Sequence, residues 1–102
     1  MKANETTTES NFELRPLVGL TRGLPRSDLE AITVNAIRIH RKLVDRADEL
    51  FHELPEACKT GKTLGGEQHV RYIEAAIEMH SQMAAVATLI ALLGYTPSVS
   101  VN

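Results

Sequence analysis

The fold of this chain is decided by residues 27–54, SDLEAITVNAIRIHRKLVDRADELFHEL, where apolar residues recur at intervals of three and four. This spacing places them along one face of an α-helix. Ser27 and Glu30 have the spacing of a capping box, in which two side chains bind each other's backbone N–H groups, and they predict where the helix begins. Pro55 predicts its end. The apolar face comprises Leu29, Ile32, Ala36, Ile39, Leu43, Ala47, Leu50 and Leu54, and a second register of Ile37, Val44 and Phe51 widens it.

A second long helix is predicted between the glycine pair at 65–66 and Gly94. Gly94 has the position of a left-handed residue that ends a helix, and Pro97 follows soon after it. The two helices should span about 28–54 and 67–93, and each should be about 40 Å long. The fold class predicted is all-α, with a long antiparallel two-helix hairpin of coiled-coil character. Apolar residues of the second helix step along Val70, Ile73, Ile77, His80, Ala84, Ala87 and Ala91, with Ile90 on a neighbouring line.

The hairpin has more apolar surface than its one seam can bury. Hydrophobic residues are 43% of only 102 residues, and so short a chain leaves much apolar surface near water unless something covers it. A second copy would cover the remaining stripe, so we expect a homodimer in which two hairpins form a four-helix bundle. The core of the hairpin and the dimer is expected to contain Leu29, Ile32, Ala36, Ile39, Leu43, Ala47, Leu50, Val70, Ile73, Ile77, Ala84, Ala87 and Ile90.

The two ends of the chain differ in character from the helices. Residues 1–12 are polar and carry no period, which predicts a disordered N-terminal arm, and residues 13–102 are predicted to form a single helical domain. Residues 13–26 mix leucine with proline and glycine, which predicts one or two helical turns packed on the larger body. The candidates for binding a partner, each with packing inside the dimer as its alternative, are Leu17, Leu20, Leu54, Tyr72 and Val99.

Charge and composition argue against several classes of protein. Eleven Lys plus Arg against 13 Asp plus Glu give a net charge of −2, which argues against direct binding of nucleic acid. The most apolar run, residues 83–93, is too short to span a bilayer. The single cysteine, Cys58, cannot form an internal disulfide, and the sequence has no pattern of a signal peptide. A cytoplasmic protein without a membrane partner is therefore expected.

The sequence predicts no cofactor, no metal site and no catalytic centre. Residues 61–63, GKT, end like a phosphate-binding loop, but Glu56 stands where that motif requires glycine. The four histidines lack the Glu-x-x-His spacing of a di-metal bundle, although His40 and His80 could face each other across the hairpin. An enzyme comparable to the helical chorismate mutases is a rival interpretation. It would need several cations inside the bundle, and the second helix contains only Arg71.

Four stretches of the sequence closely resemble one known family. They are ELRPLVGLTRGLP from Glu13, AIRIHRKLVDRADELFHELPE from Ala36, GGEQHVRYIEAAIEMHSQM from Gly65, and the ending LLGYTPSVSVN. Together they are similar to the TraM family, the quorum-sensing antiactivators of conjugative plasmids in rhizobia and agrobacteria. The resemblance covers about residues 13–102.

This resemblance implies a cytoplasmic all-helical dimer that binds TraR, a LuxR-type transcriptional activator dependent on an acyl-homoserine lactone. Members of the family stop TraR from holding its promoter DNA, so that conjugal-transfer genes stay repressed. The implied function requires neither a cofactor nor enzyme activity. The alternative is a generic helical-bundle adaptor or assembly protein for another partner, which would share the same fold.

Overall fold

The computed structural model describes residues 15–100, and within that range the chain is helical and contains no strand. Helix α1 is described over residues 15–21, in agreement with the short N-terminal helical segment that was predicted. The arm predicted for residues 1–12 lies outside the described range. The other helices are α2 (Arg26–His52), α3 (Glu56–Lys59) and α4 (Glu67–Leu93).

Helices α2 and α4 form the antiparallel hairpin that the sequence predicts. At one end the Arg26 guanidinium donates to the Leu93 carbonyl. In the middle Gln82 Nε2 donates to the Ala36 carbonyl at 3.1 Å. At the other end the rings of Phe51 and Tyr72 lie 5.5 Å apart. These contacts follow the length of both helices, so the hairpin is closed along its whole seam.

The start of α2 differs from the prediction. Pro25 is the N-cap (φ −56°, ψ 146°), and no side-chain capping bond forms at this described end of the helix. The amides of Asp28 and Leu29 donate instead to the Pro25 carbonyl, at 3.0 and 3.1 Å. The predicted capping box is therefore wrong, because Pro25 turns the chain into the helix early and places Ser27 inside the first turn. The helix also ends two residues early, at His52.

Helix α4 covers the predicted range and ends as the sequence indicates. Gly94 follows its last residue in the left-handed conformation (φ 95°), and the Gly94 amide donates to the Ile90 carbonyl at 2.8 Å. A glycine is needed here because other residues rarely adopt a positive φ. By length and composition this helix could cross a membrane, with a mean hydropathy of 1.4 over its best window, but the core helix of a soluble protein passes the same test.

The core of the hairpin lies toward its open end, where α2 begins and α4 ends. The cluster of buried apolar side chains contains Leu29, Ala36, Val86, Leu89 and Leu93. Two threonines are buried with it, and each satisfies its hydroxyl on its own helix. Thr33 donates to the Leu29 carbonyl at 2.8 Å and Thr88 to the Ala84 carbonyl at 2.9 Å. Such i−4 bonds let a hydroxyl enter an apolar seam without a further partner.

Several residues expected in the core lie outside the core of a single hairpin. On α4, Val70, Ile73 and Ile77 are 47, 40 and 59% exposed, and Ala87 is also exposed. The buried residues of α4 are Val86, Thr88, Leu89 and Leu93, all in the second half of the helix. The second half of α4 is apolar almost all round, so its periodicity alone does not select the face that meets α2. On α2, Ile32 and Ile39 are 41 and 49% exposed, whereas Leu29, Ala36, Ala47 and Leu50 are buried as expected. Leu43, Ala84 and Ile90 are half-buried.

Candidate interaction surface

An aromatic groove lies on one side of the hairpin, near the loop that joins α2 to α4. Its floor is the pair of Phe51 and Tyr72, whose rings are tilted by 58°. Phe51 is 37% exposed and Val44 is 38% exposed, although both are large apolar residues. The groove has a volume of about 320 Å³. We call it the aromatic groove; it is lined by Val44, Ala47, Asp48, Phe51, Tyr72 and Met79.

The Phe51 ring contacts one cationic side chain, Lys59, and one polar ring, His52. The Lys59 ammonium lies 5.7 Å from the centre of the ring, within the range of a cation–π contact. The His52 ring meets it edge-on at 6.1 Å. His52 Nδ1 in turn lies 2.8 Å from the Asp48 carbonyl oxygen and 3.6 Å from the Asp48 carboxylate. An apolar centre with a polar rim is the usual anatomy of a protein–protein interface.

A second apolar surface continues from Tyr72 around α4. A shallow groove of about 420 Å³ runs along it from Tyr72 to Ala84 and includes Ile73, Ile77 and His80. Tyr72 borders α2 through its contact with Phe51, whereas Ile73, Ile77 and His80 lie on the exposed side of α4. We call this side the outer face of α4; it comprises Val70, Ile73, Ile77, His80, Ala84, Ala87 and Ala91, of which all but the half-buried Ala84 are exposed.

The five predicted partner contacts do not form one surface. Tyr72 is half-buried between the two grooves. Leu54 is only 5% exposed, so in this conformation its side chain is not available to a partner, and its selection as a contact is the one that the structure corrects. Leu20 is 77% exposed and Leu17 half-buried, both in α1 near the opposite end of the hairpin. Val99 is half-buried in the C-terminal tail.

The C-terminal tail, residues 95–100, turns back from α4 and follows the outer side of α2. The Tyr95 hydroxyl donates to Glu30 Oε2 at 2.9 Å. Further along, Arg38 donates to the Ser100 hydroxyl at 3.2 Å and Arg41 to the Ser100 carbonyl at 3.0 Å. The hydrogen bond to Glu30 raises the pKa of Tyr95 above its ordinary value. The tail is thus tied to α2 at both of its ends.

Sequence reasoning did not select Phe51 and Met79 as candidate site residues. The signal for Phe51 was present in the seven-residue spacing of Ile37, Val44 and Phe51, which marks a second apolar line on α2. That spacing did not show which part of the line stays uncovered. Ile37 is half-buried, whereas Val44 and Phe51 remain open toward the loop.

The loop between α2 and α4 encloses a cavity of about 540 Å³ that includes Cys58, Thr63 and His69 in its lining. His69 Nδ1 accepts a hydrogen bond from the Gly65 amide at 2.8 Å, so this ring binds the backbone just before α4 begins. The segment 61–63 follows the short helix α3 and is not preceded by a strand, unlike the phosphate-binding loop that it resembles.

Histidine positions do not form a common site. His40 is half-buried on α2, whereas His80 is exposed on the outer face of α4. In the range 15–100 there is no group of three or more His, Cys, Asp or Glu residues that could hold a metal ion. The features with the clearest functional potential are therefore the two apolar surfaces.

Comparison with known proteins points to one family over the entire chain. The family model described as prokaryotic transcriptional repressor TraM matches residues 1–98. The chain is 60% identical to the transcriptional repressor TraM of Agrobacterium fabrum (strain C58 / ATCC 33970) and 59% identical to that of Rhizobium radiobacter, and each match covers 100% of both chains. A crystal structure of a second quorum-sensing antiactivator, TraM2, from A. tumefaciens strain A6 matches with a TM-score of 0.84 and 60% identity. That match covers 86% of this chain and 99% of the other.

Proposed function

The chain belongs to the TraM family of prokaryotic transcriptional repressors, and on that basis we propose that it is a quorum-sensing antiactivator. It binds a LuxR-type transcriptional activator of the TraR kind and prevents the activator from binding promoter DNA, so that conjugal-transfer genes stay off. The observation that carries this proposal is 60% identity over the whole length to a transcriptional repressor. The antiactivator named among its structural relatives supports the same mechanism.

The exposed aromatic groove fits a function that consists of binding. Aromatic side chains are enriched among the residues that dominate interface energies, because they bury much area at low cost in conformational freedom. Phe51 and Tyr72 already contact each other, so the pair is ordered before a partner arrives. The aromatic groove is the primary contact surface in this proposal, with Tyr72 at its edge. Leu17, Leu20 and Val99 are secondary contacts.

Charge also favours an activator as the partner. The net charge of −2 repels nucleic acid and attracts a basic DNA-binding domain. The charged residues of α4 are Glu67, Arg71, Glu74 and Glu78, so this helix alone carries a net charge of −2. Long-range attraction of this kind raises the rate of encounter more than it raises the final affinity.

A homodimer in the cytoplasm is the second part of the proposal. The outer face of α4 presents three large apolar side chains to solvent, and Val70, Ile73 and Ile77 keep between 40 and 59% of their surface exposed. Packing this face against a second copy would complete a four-helix bundle. The part of the aromatic groove on α2, with Val44, Asp48 and Phe51, would then remain free for the activator, whereas Tyr72 borders both surfaces.

The decisive experiment is a mobility shift of operator DNA by TraR and its acyl-homoserine lactone, with increasing amounts of this protein. We expect the shifted band to disappear while the protein alone shifts no DNA. Tyr72→Ala should weaken this effect, whereas Tyr95→Ala, which removes the other tyrosine from a separate surface, should retain it. A supershifted band or an unchanged band would favour an adaptor or assembly protein for another partner and would overturn the antiactivator proposal.

A further inference from the structure

The outer face of α4 is ordered by side-chain size along the helix. Its first half carries large side chains, Val70, Ile73 and Ile77, and its second half carries Ala84, Ala87 and Ala91. His80 lies between the two halves. It is also the middle residue of α4, which has 27 residues from Glu67 to Leu93. The face is therefore asymmetric about His80, with large side chains before this residue and small ones after it.

Two such faces fit each other when the helices run antiparallel. If His80 lies opposite His80 of a second copy, Ile73 comes opposite Ala87, Ile77 lies close to Ala84, and Val70 lies close to Ala91. Along this face large side chains then meet small ones, as interdigitating cores require, and the flexible side chain of the 49% exposed Met83 comes opposite Ile77. A parallel arrangement would place the large residues together at one end and leave a gap at the other. Size complementarity thus selects one relative direction and one register.

The extent and charge of the face also suit a second copy. At about 40 Å long and roughly 15 Å wide, it offers roughly 600 Å² per chain, close to the ~800 Å² per partner of a standard interface. Residues 81–93 contain no charged side chain. Glu67, Arg71, Glu74 and Glu78 share another side of the helix, as their spacing of three, four and seven residues indicates. The apolar face itself therefore brings no two charged side chains together in the seam.

We propose that α4 pairs antiparallel with α4 of a second copy, and that the two His80 side chains meet on the two-fold axis and make this dimer sensitive to protons. The inference rests on the homodimer of the proposed function. It adds the relative direction of the two α4 helices, their register and the dependence of dimerisation on pH. Two neutral imidazoles can share a hydrogen bond in the seam. Two imidazolium ions cannot, because each would be buried beside a like charge in apolar surroundings. Acid should therefore separate the chains.

The surroundings of His80 contain few other groups that titrate. On its own helix the groove around it is formed by Tyr72, Ile73, Ala76, Ile77, Ser81 and Ala84. Helix α2, with its His40, packs on the other side of α4 in each copy. The second copy would present its own His80, with Ile77 and Ala84 on either side. The titratable groups of the seam are thus the His80 pair and the Tyr72 hydroxyl, and histidine is the residue type whose charge ordinarily changes between pH 5 and 8.

Cross-linking tests the register. In a Cys58→Ser background, His80→Cys should form a disulfide-linked dimer under mild oxidation, whereas Glu78→Cys, on another side of α4, should remain monomeric in denaturing gels. Oxidation of mixed Ile73→Cys and Ala87→Cys chains should give mainly the heterodimer. A predominance of Ile73→Cys homodimers would indicate parallel helices, and cross-linking at residue 78 but not at residue 80 would place another face in the seam. Either result overturns the proposal.

Sedimentation at two pH values tests the proton sensitivity. A histidine in water is half protonated near pH 6.5, so a seam that excludes the doubly protonated pair weakens association by roughly sixfold between pH 7.5 and 5.5. His80→Gln should dimerise equally at both pH values, and His69→Gln should behave like the natural chain. Equal dimerisation of the natural chain at both values, or a pH effect that persists in His80→Gln, would overturn the switch.

Two controls separate this inference from the proposed function. A chain that is monomeric at pH 7.5 but still removes TraR from DNA would overturn the dimer and leave the antiactivator standing. Flotation with phosphatidylcholine and phosphatidylglycerol vesicles tests a membrane as the alternative occupant of the face. Vesicle binding by the natural chain that is lost in Ile77→Asp would assign the outer face to lipid and overturn the inference.

Discussion

The guanidinium of Arg26 donates a hydrogen bond to the main-chain carbonyl of Leu93, so the first residue of α2 is tied to the last residue of α4. A carbonyl at the C-terminus of a helix has no partner within its own helix and carries part of the negative end of the helix dipole. A guanidinium is well suited to bind it, because it remains charged at every accessible pH. This charged bond thereby joins the two helices at the open end of the hairpin, beside the cluster that includes Leu29 and Leu93.

Removing this bond should destabilise the hairpin measurably. For Arg26→Gln we expect a loss of about 1–2 kcal/mol in the free energy of unfolding, the usual range for a hydrogen bond with one charged partner. Urea unfolding at a fixed protein concentration measures it. Arg22→Gln, four residues earlier and exposed, is the matched control and should change stability by less than about 0.5 kcal/mol. Equal effects of both substitutions would show that overall charge matters rather than this bond.

The core makes a second stability prediction at Leu93. This residue is 1% exposed and belongs to the cluster formed with Leu29, Ala36, Val86 and Leu89. Leu93→Ala should cost about 2–4 kcal/mol, because it removes buried methyl groups and leaves a cavity. Leu20→Ala makes the same chemical change at a site that is 77% exposed, and it should leave the unfolding midpoint unchanged. A loss below 1 kcal/mol at Leu93 would mean that the cluster collapses around the vacancy.

These two sites also show how far sequence reasoning extends. The helices and the glycine that ends α4 follow from local spacing, since each depends on residues within a few positions of one another. Their antiparallel pairing follows from the loop that joins the two helices. The buried face of α4 does not follow, because Val70, Ile73 and Ile77 form an apolar stripe in the sequence and yet stay exposed, whereas Val86, Leu89 and Leu93 are buried. Which of the two meets α2 depends on packing against another helix. The same holds for Leu54, whose burial reflects how the loop end closes.

The attachment of the tail predicts a loss of stability in alkali. The hydrogen bond with Glu30 raises the pKa of Tyr95 in the folded chain above the value of about 10 in the unfolded chain. The contribution of this bond is therefore complete below pH 10 and is lost as the pH rises through the raised value. Between pH 9 and 11 the natural chain should lose more stability in urea than Tyr95→Phe does.

Tyr72→Phe is the control for that comparison, because it removes a hydroxyl and leaves the Tyr95–Glu30 bond in place. Its stability should fall with pH as in the natural chain. Hydrogen exchange gives a second measurement, since amides of residues 95–100 should exchange faster in Tyr95→Phe than in the natural chain at neutral pH. Unchanged exchange in the tail would show that the arginine bonds to Ser100 hold it alone.

The aromatic groove leads to the prediction that bears on function most directly. Phe51 and Tyr72 lie on different helices with ring centres 5.5 Å apart, so either ring is supported by the other. If the pair forms one contact surface for the activator, Phe51→Ala and Tyr72→Ala should each weaken inhibition of TraR by at least tenfold, since aromatic anchors of an interface often contribute 2 kcal/mol or more. The double variant should lose little beyond either single one, because each truncation already disorders the remaining ring.

Circular dichroism and urea unfolding must show that all three variants keep their helices. Ile32→Ala, on another side of α2, is the control and should inhibit normally. Strictly additive losses in the double variant would mean that the two rings contact the activator independently, and full inhibition by all three variants would move the binding surface away from the groove.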